Sequence, residues 1–292
     1  MTFNPNADVS NSRARRTGRG AAKVGGGVGL IGVVILLISL FTGQDFTGLI
    51  PLVEGGTEGG GTSESALVAD CQTGADANED DACRIAAVQL SLDQFWDANM
   101  DNYRPPSLTI VDGSTPTACG TASNAVGPFY CPPDEGIYID PTFFQLLRQQ
   151  FGASAQQLAQ VYIVAHEWGH HIQNITGIMD RYPNDGSGAA SNGVRVELQA
   201  DCFAGAWVGA MTETKDANGQ PYLIAPTDEE LRDALNAAAS VGDDHIQQQS
   251  GQRVNPEAFT HGSSEQRQRW FATGYQSGIA SCDTFSPSGA NL

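Results

Sequence analysis

Two histidines and a glutamate form the most informative group in the sequence, because their spacing suits a metal ion. His166, Glu167 and His170 occur together as His-Glu-Trp-Gly-His. Side chains four residues apart share one face of a helix, so both imidazoles can reach the same ion. Glu167 is rotated by about 100° from His166, which suits it to activate water at the metal rather than to bind the metal. The motif therefore predicts a zinc site at His166 and His170, with Glu167 as general base.

The alternative interpretation of this motif is a chance match on a surface helix. Residues 161–165, which precede it, carry no charge. An uncharged stretch of this kind is typical of a buried helix, and a buried helix rarely carries two histidines and a glutamate without a function. The flanking residues therefore favour the metal site.

A catalytic zinc needs three protein ligands and one open position, so a third ligand must come from elsewhere in the chain. Glu197 and Asp201 lie four residues apart in a second helical segment. We predict that Glu197 is the third ligand. Asp201 is expected to accept the second ring N–H of His166 or His170, which fixes the ring tautomer. The alternative is a solvated Glu197 paired with Arg195, but the mostly apolar flanks favour a buried helix.

A donor to the developing oxyanion is also required. His261, in Thr-His-Gly-Ser-Ser, precedes the last predicted helix and is the candidate, with packing or helix capping as the alternative. Tyr162 and Tyr138 are further candidates, although a packed ring with a satisfied hydroxyl is the favoured interpretation of each. His171 points away from His170 and is interpreted as structural.

The elements that position these residues follow from periodicity and capping signals. They predict a mostly helical α+β domain with a small sheet before the central helix. Strands are expected at 107–111, 126–130 and 137–139. Helices are expected at 82–103, from Asp140 to near Gly152, at 158–175, at 194–211, from Thr227 to 241 and from Ser263 to 279. Capping boxes at Ser154/Gln157, Thr227/Glu230 and Ser263/Gln266 open three of these helices.

The N-terminal region predicts a membrane anchor. Residues 1–23 carry five cations and one acid, and residues 24–42 are uncharged. A stretch of about 20 apolar residues can cross a bilayer once, and the positive-inside rule leaves residues 1–23 in the cytoplasm. One alternative is a cleaved secretory signal, but no clear cleavage site follows the apolar stretch. The other is a buried core helix, which would not usually lie beside a basic tail. Residues 43–69 are a Gly-, Ser-, Thr- and Glu-rich flexible linker, and residues 70–292 form the extracytoplasmic folded domain.

All six cysteines follow the predicted anchor, and an even number on the exported side of a membrane indicates disulfides. Six cysteines allow 15 pairings, and Cys202 as a buried free thiol is an alternative. We predict the pairs Cys71–Cys83, Cys119–Cys131 and Cys202–Cys282.

The formal net charge of −18 argues against nucleic acid as a partner, because nucleic-acid binding needs a cationic surface. The same charge would attract a basic peptide more strongly than an acidic one.

Several segments together resemble the putative neutral zinc metallopeptidase family of bacterial membrane-anchored proteins. The resemblance covers most of the chain and rests on residues 117–132, 137–140, 165–174, 197–205, 234–244 and 259–269. The glutamate-type zincins use the same histidine motif followed by Glu-x-x-x-Asp, which Glu197 to Asp201 matches. The resemblance implies a zincin fold, in which an extended peptide pairs with a sheet edge beside the histidine helix. The Gly-rich segment from His170 to Glu197 departs from the best-studied glutamate zincins, and we expect it to wall or lid the cleft.

These observations predict a membrane-anchored, zinc-dependent metallopeptidase that hydrolyses peptide or protein substrates, with Zn²⁺ as cofactor. One alternative is a zinc-binding scaffold or interaction protein on the cell surface without proteolytic activity. Another is a metallohydrolase that acts on non-peptide amides such as cell-wall components.

Overall fold

The computed structural model describes residues 2–17, 65–68, 70–151 and 156–292. The predicted membrane anchor at 24–42 and most of the predicted linker at 43–69 lie outside these residues. Within them, every helix is too short or too polar to cross a membrane.

Helices make up most of the described fold, and small sheets accompany them. The helices are α1 (Gly74–Glu79), α2 (Asp81–Asn99), α3 (Phe143–Phe151), α4 (Gln157–Ile175), α5 (Ile178–Arg181), α6 (Asn192–Ala210), α7 (Asp228–Ser240), α8 (Asp243–Gln249) and α9 (Ser264–Ser277). Six of them coincide with the predicted helices. The short helices α1, α5 and α8 were not predicted, because one or two turns are too short to show a period.

Two of the predicted capping boxes are confirmed. Thr227 with Glu230 opens α7, and Ser263 with Gln266 opens α9, each with both reciprocal hydrogen bonds present. The box predicted for α4 is wrong in its position. The N-cap residue of α4 is Gln156, which makes no side-chain capping bond, and Ser154 lies outside the described residues.

Short strands lie beside the helices. They are β1 (Arg15–Thr17), β2 (Ser65–Leu67), β3 (Ser107–Ile110), β4 (Ser114–Thr117), β5 (Gly120–Ser123), β6 (Phe129–Cys131) and β7 (Gly136–Ile139). Five of these strands form one sheet in the order β2-β1-β3-β7-β6. The pairs β1–β3 and β3–β7 are parallel, whereas β1–β2 and β6–β7 are antiparallel. A separate hairpin joins β4 to β5. The predicted strands correspond to β3, β6 and β7.

The histidine helix α4 is central to the packing. It lies against β6 and β7 and against helices α2, α6 and α7, while α6 also packs on α9. The backbones of α4 and α6 approach closely at Gly169, where a Cβ atom would lie 2.9 Å from the Cα of Ala200. At Gly205, a Cβ atom of α6 would lie 2.0 Å from the carbonyl oxygen of Phe271 in α9. The two glycines therefore allow α6 to fit between α4 and α9.

The N-terminal residues belong to this fold, so the predicted start of the folded domain at residue 70 is wrong. Residues 2–17, which we call the N-terminal arm, run along the body and end in β1. Phe3 and Val9 are fully buried. The five cations of residues 1–23 suggested a basic cytoplasmic tail, but apolar residues of the arm pack into the core without any regular period.

All three predicted disulfides are confirmed. The Cα–Cα distances are 5.3 Å for Cys71–Cys83, 5.8 Å for Cys119–Cys131 and 5.5 Å for Cys202–Cys282. The last pair joins α6 to the C-terminal segment.

We expect Phe3→Ala to lower the free energy of unfolding by about 3–5 kcal/mol, because it empties a buried aromatic site. Urea unfolding of the full chain, followed by tryptophan fluorescence, measures the change. Val254→Ala removes a side chain that is 37 % exposed and is the matched control, with an expected change within about 0.5 kcal/mol. Equal stability of the two variants would show that the arm does not contribute to the fold in solution.

Candidate metal centre

Three side chains from two neighbouring helices converge on one point. Helix α4 supplies His166 and His170, and α6 supplies Glu197. The Nε2 atom of His166 lies 3.2 Å from Oε2 of Glu197, and Nε2 of His170 lies 3.4 Å from Oε1 of the same carboxylate. Among the described residues, this is the one group of three or more His, Cys, Asp or Glu side chains whose ligand atoms could hold a metal ion together.

The spacing of these atoms fits zinc. Zinc bonds to histidine nitrogen and carboxylate oxygen are about 2.0–2.2 Å long, and tetrahedral angles then put neighbouring ligand atoms about 3.3 Å apart. The nitrogen–oxygen distances of 3.2 and 3.4 Å agree with this value. Three protein ligands leave the fourth position open, which is the pattern of a catalytic rather than a structural site.

Hydrogen bonds on the far side of each ring fix the histidine tautomers. The Nδ1–H group of His166 donates to Oδ1 of Asp201 over 2.8 Å. The Nδ1–H group of His170 donates to Oε1 of Gln173 over 2.9 Å. Both Nε2 lone pairs are therefore presented to the space in front of Glu197. Of the two alternatives for Asp201, the structure places it beside His166.

Gln173 was missed by the sequence analysis. It lies three residues after His170 on the same face of α4, and that spacing was the available signal. Its amide nitrogen donates to the carbonyl oxygen of Val196 over 2.7 Å and to Oε1 of Gln199 over 3.1 Å. Gln199 in turn donates to the carbonyl oxygen of Cys282 over 2.9 Å. A chain of amides thus links His170 to the disulfide-bonded C-terminal segment.

Arg267 of α9 compensates the buried charge of Asp201. Its Nε and Nη2 atoms donate to the two carboxylate oxygens over 2.8 and 2.9 Å. The hydroxyl of Tyr162 donates to Oδ1 over 2.5 Å. Burial raises the pKa of the Asp201 carboxyl group, but Arg267 and His166 beside it lower that pKa by more, to about 2. The carboxylate therefore stays ionised and can orient His166 at neutral pH.

Sequence analysis also missed Arg267. It shares one face of α9 with the buried Trp270, Phe271 and Gly274. A cation on the apolar face of a helix usually has a buried partner, and that was the signal.

A cavity of about 490 Å³ opens onto the three converging side chains. Glu167 and His261 both line it, so the structure brings together all the predicted site residues except Asp201, which lies behind His166. The expectation that the Gly-rich segment walls the cleft is wrong. None of residues 171–196, all of which the structure describes, lines the cavity. Residues 124–130 and helix α3 form the walls instead.

The loop that carries His261 is held by Asp243, a residue that was not predicted. Its Oδ2 atom accepts the backbone N–H groups of Thr260, His261 and Gly262 over 2.7, 2.6 and 2.9 Å. Asp243 is fully buried, so these three bonds fix the loop firmly.

The remaining aromatic candidates have other partners. Tyr162 is occupied by Asp201. The hydroxyl of Tyr138 donates to Asp134 over 2.8 Å, and Tyr138 does not line the cavity. His171 is structural, because its Nε2–H group donates to the carbonyl oxygen of Arg104 over 2.7 Å.

Known proteins share this sequence over most of its length. The profile of a family described as "Putative neutral zinc metallopeptidase" matches residues 4–285, which confirms the family resemblance. An uncharacterised protein of Mycobacterium tuberculosis strain H37Rv is 50 % identical over 221 residues, 75 % of this chain and 75 % of that protein. The uncharacterised protein YpfJ of Escherichia coli strain K12 is 35 % identical over 307 residues, 99 % of this chain and 100 % of that protein. No solved structure gives a significant match.

We expect Gln173→Met to weaken zinc binding by about 10-fold or more, because the Nδ1–H group of His170 loses its acceptor. Competition with a chelating indicator measures the affinity. Gln145→Met, at an exposed position of α3, is the matched control and should bind zinc like the wild type. If the two variants bind equally well, packing alone orients His170.

Proposed function

The chain belongs to the putative neutral zinc metallopeptidase family, and from that premise we propose that it is a zinc-dependent peptidase in which Glu167 is the general base. The observation that supports this proposal most directly is the convergence of His166, His170 and Glu197 on one point beside Glu167. A structural zinc site would be closed by a fourth protein ligand. Here the three side chains line a cavity large enough for part of a peptide, and among the described residues no fourth His, Cys, Asp or Glu side chain joins their cluster.

The reaction divides between the metal and the protein. When bound, zinc supplies a Lewis acid that polarises the scissile carbonyl group and lowers the pKa of water. Glu167 removes a proton from the attacking water and later delivers it to the leaving amine. Asp201 and Arg267 act through His166, because they hold its ring in the orientation that ligation needs.

His261 is proposed to donate a hydrogen bond to the carbonyl oxygen as negative charge develops there. Two observations support this role. His261 lines the same cavity as Glu167, and Asp243 fixes its backbone. A donor that is held in place before the reaction does not have to reorganise during it.

The substrate is proposed to be an extended peptide that pairs with strand β6. The sheet order ends at β6, so β7 covers one edge of it and none of the described strands covers the other. Residues 124–130, which include the start of β6, line the cavity. A peptide added to this edge would gain main-chain hydrogen bonds while its scissile bond lies near Glu167. This placement beside the histidine helix corresponds to the zincin-like arrangement expected from the family resemblance.

The central test uses zinc-loaded full-length protein and a broad peptide library. We expect the wild type to cleave peptides and Glu167→Gln to lose about 10²- to 10⁴-fold in kcat while it still binds one zinc. Glu213→Gln, at an exposed position, is the matched control and should keep full activity. A wild type that binds zinc yet cleaves nothing would refute the peptidase proposal. Cleavage of amide-linked wall fragments alone would instead favour the non-peptide hydrolase.

We expect His261→Ala to lower kcat by about 10²- to 10³-fold with little change in KM, because the donor acts mainly on the transition state. Zinc content should stay at the wild-type value, since His261 is not one of the proposed ligands. His245→Ala removes a histidine that does not line the cavity and is the control. A loss of zinc in His261→Ala, or an unchanged kcat, would contradict this role.

A further inference from the structure

The cavity beside the metal centre continues into an apolar wall. Three of its side chains, Phe143 and Leu146 of α3 and Ile163 of α4, are half-buried. Ile163 lies three residues before His166 on the same face of α4, so the wall begins next to the proposed ligands. Val241 and Ile246 also line the cavity and extend the wall.

A buried side chain lies behind this wall. The fully buried Leu147 packs against Phe143, Ile163 and Val241. With Leu147 behind them, these three side chains remain half-buried and leave an apolar surface that a ligand can cover.

The charges around the cavity disfavour acidic ligands. Glu167 and Glu197 line it, and Arg267 is the one side chain with a permanent positive charge among the described lining residues. Arg267 already donates to both oxygens of Asp201. Because Glu197 is a proposed zinc ligand, Glu167 is the carboxylate that an acidic side chain would meet in the loaded protein. That side chain would also lose its hydration in the apolar part of the cavity.

We propose that this wall is the pocket for a substrate side chain next to the scissile bond and that it selects bulky apolar residues such as Leu or Phe. The inference rests on the proposed peptidase function and names its substrate class. Transfer of such a side chain from water into the pocket should favour Leu over Ala by about 10- to 100-fold in kcat/KM. Peptides with Asp at this position should be the poorest substrates.

The test compares peptides that differ only in the residue next to the cleaved bond, which carries Leu, Phe, Ala or Asp. In the Leu146→Arg variant, the new cation should lower kcat/KM for the Leu peptide and raise it for the Asp peptide. Val254→Arg adds the same charge at an exposed apolar position outside the cavity and should leave the Leu/Asp ratio unchanged. Zinc content checks that each variant retains the metal centre.

The outcomes separate the pocket from the peptidase function. Cleavage without preference for apolar residues would overturn the pocket and leave the peptidase intact. An equal effect of Leu146→Arg on the Leu and Asp peptides would do the same. If no peptide is cleaved, the peptidase proposal fails, and binding of peptide hydroxamates with Leu or Asp to the zinc-loaded protein then tests the pocket alone. Equal affinities for the two hydroxamates would overturn it.

A second inference follows from the N-terminal arm, which is built into the body by main-chain hydrogen bonds. The backbone N–H of Asn4 donates to the carbonyl oxygen of Tyr222 over 3.0 Å. The backbone N–H of Val9 donates to the backbone carbonyl oxygen of Gln72 over 2.9 Å. The backbone of the arm also lies so close to the body that a side chain at the contact would clash. At Gly74 a Cβ atom would lie 1.9 Å from the carbonyl oxygen of Asn4.

Contacts of about 3 Å cannot join groups on opposite sides of a hydrocarbon layer about 30 Å thick. A single crossing at residues 24–42 would put the arm and the body on opposite sides. A stretch of 19 residues is enough for about one crossing and too short for two. We infer that the arm and the body fold in the same compartment, which replaces the predicted topology with a cytoplasmic N-terminus and an external domain.

Single cysteines test the location of both parts in the full chain. Asn11→Cys marks an exposed position of the arm, and Gln252→Cys marks an exposed position of the body. We expect a membrane-impermeant maleimide to label both in intact cells or neither, and to label both after permeabilisation. Labelling of one position and not the other in intact cells would overturn the inference.

Discussion

Asp201 carries a negative charge in the interior, and three helices meet around it. Helix α6 supplies the carboxylate, α4 supplies His166 and Tyr162, and α9 supplies Arg267. A buried charge is costly unless it is paired and fully hydrogen-bonded. In the arrangement that satisfies this charge, Nε2 of His166 also faces Glu197. Helix packing and ring orientation are thus consequences of the same contact.

The second histidine depends on a different set of contacts in the same region. His170 is oriented by Gln173, and the amide chain through Gln199 ends at the carbonyl oxygen of Cys282. Cys282 is held by its disulfide to Cys202, which directly follows Asp201 in α6. The disulfide therefore closes the packing around α6 and also fixes the acceptor at the end of this chain. In this way a covalent link outside the cavity lining supports the position of a proposed ligand.

The five-stranded sheet links the N-terminal arm to the cavity beside the metal centre. Strand β1 of the arm pairs with β3, β3 pairs with β7, and β7 pairs with β6 at the edge beside the cavity. Strand β1 of the arm and β2 thus form the end of the sheet opposite β6. The proposed peptide-binding edge is left at the other end, next to the histidine helix. The proposed apolar pocket of α3 and α4 would then give that edge a side-chain preference.

The sequence alone determined the features whose signals lie within one helix or loop. His166 with His170, and Glu197 with Asp201, share helix faces because the period of the helix places residues four apart together. The Thr227 and Ser263 capping boxes were predictable for the same reason, since a capping box needs two residues three apart. Only the tertiary structure decided that Arg267 pairs with Asp201, which lies 66 residues before it. It also decided that Asp243 holds the loop of His261 and that the arm joins the sheet. These choices depend on which elements pack together, and that outcome is set by burial summed over the whole chain rather than by any local period.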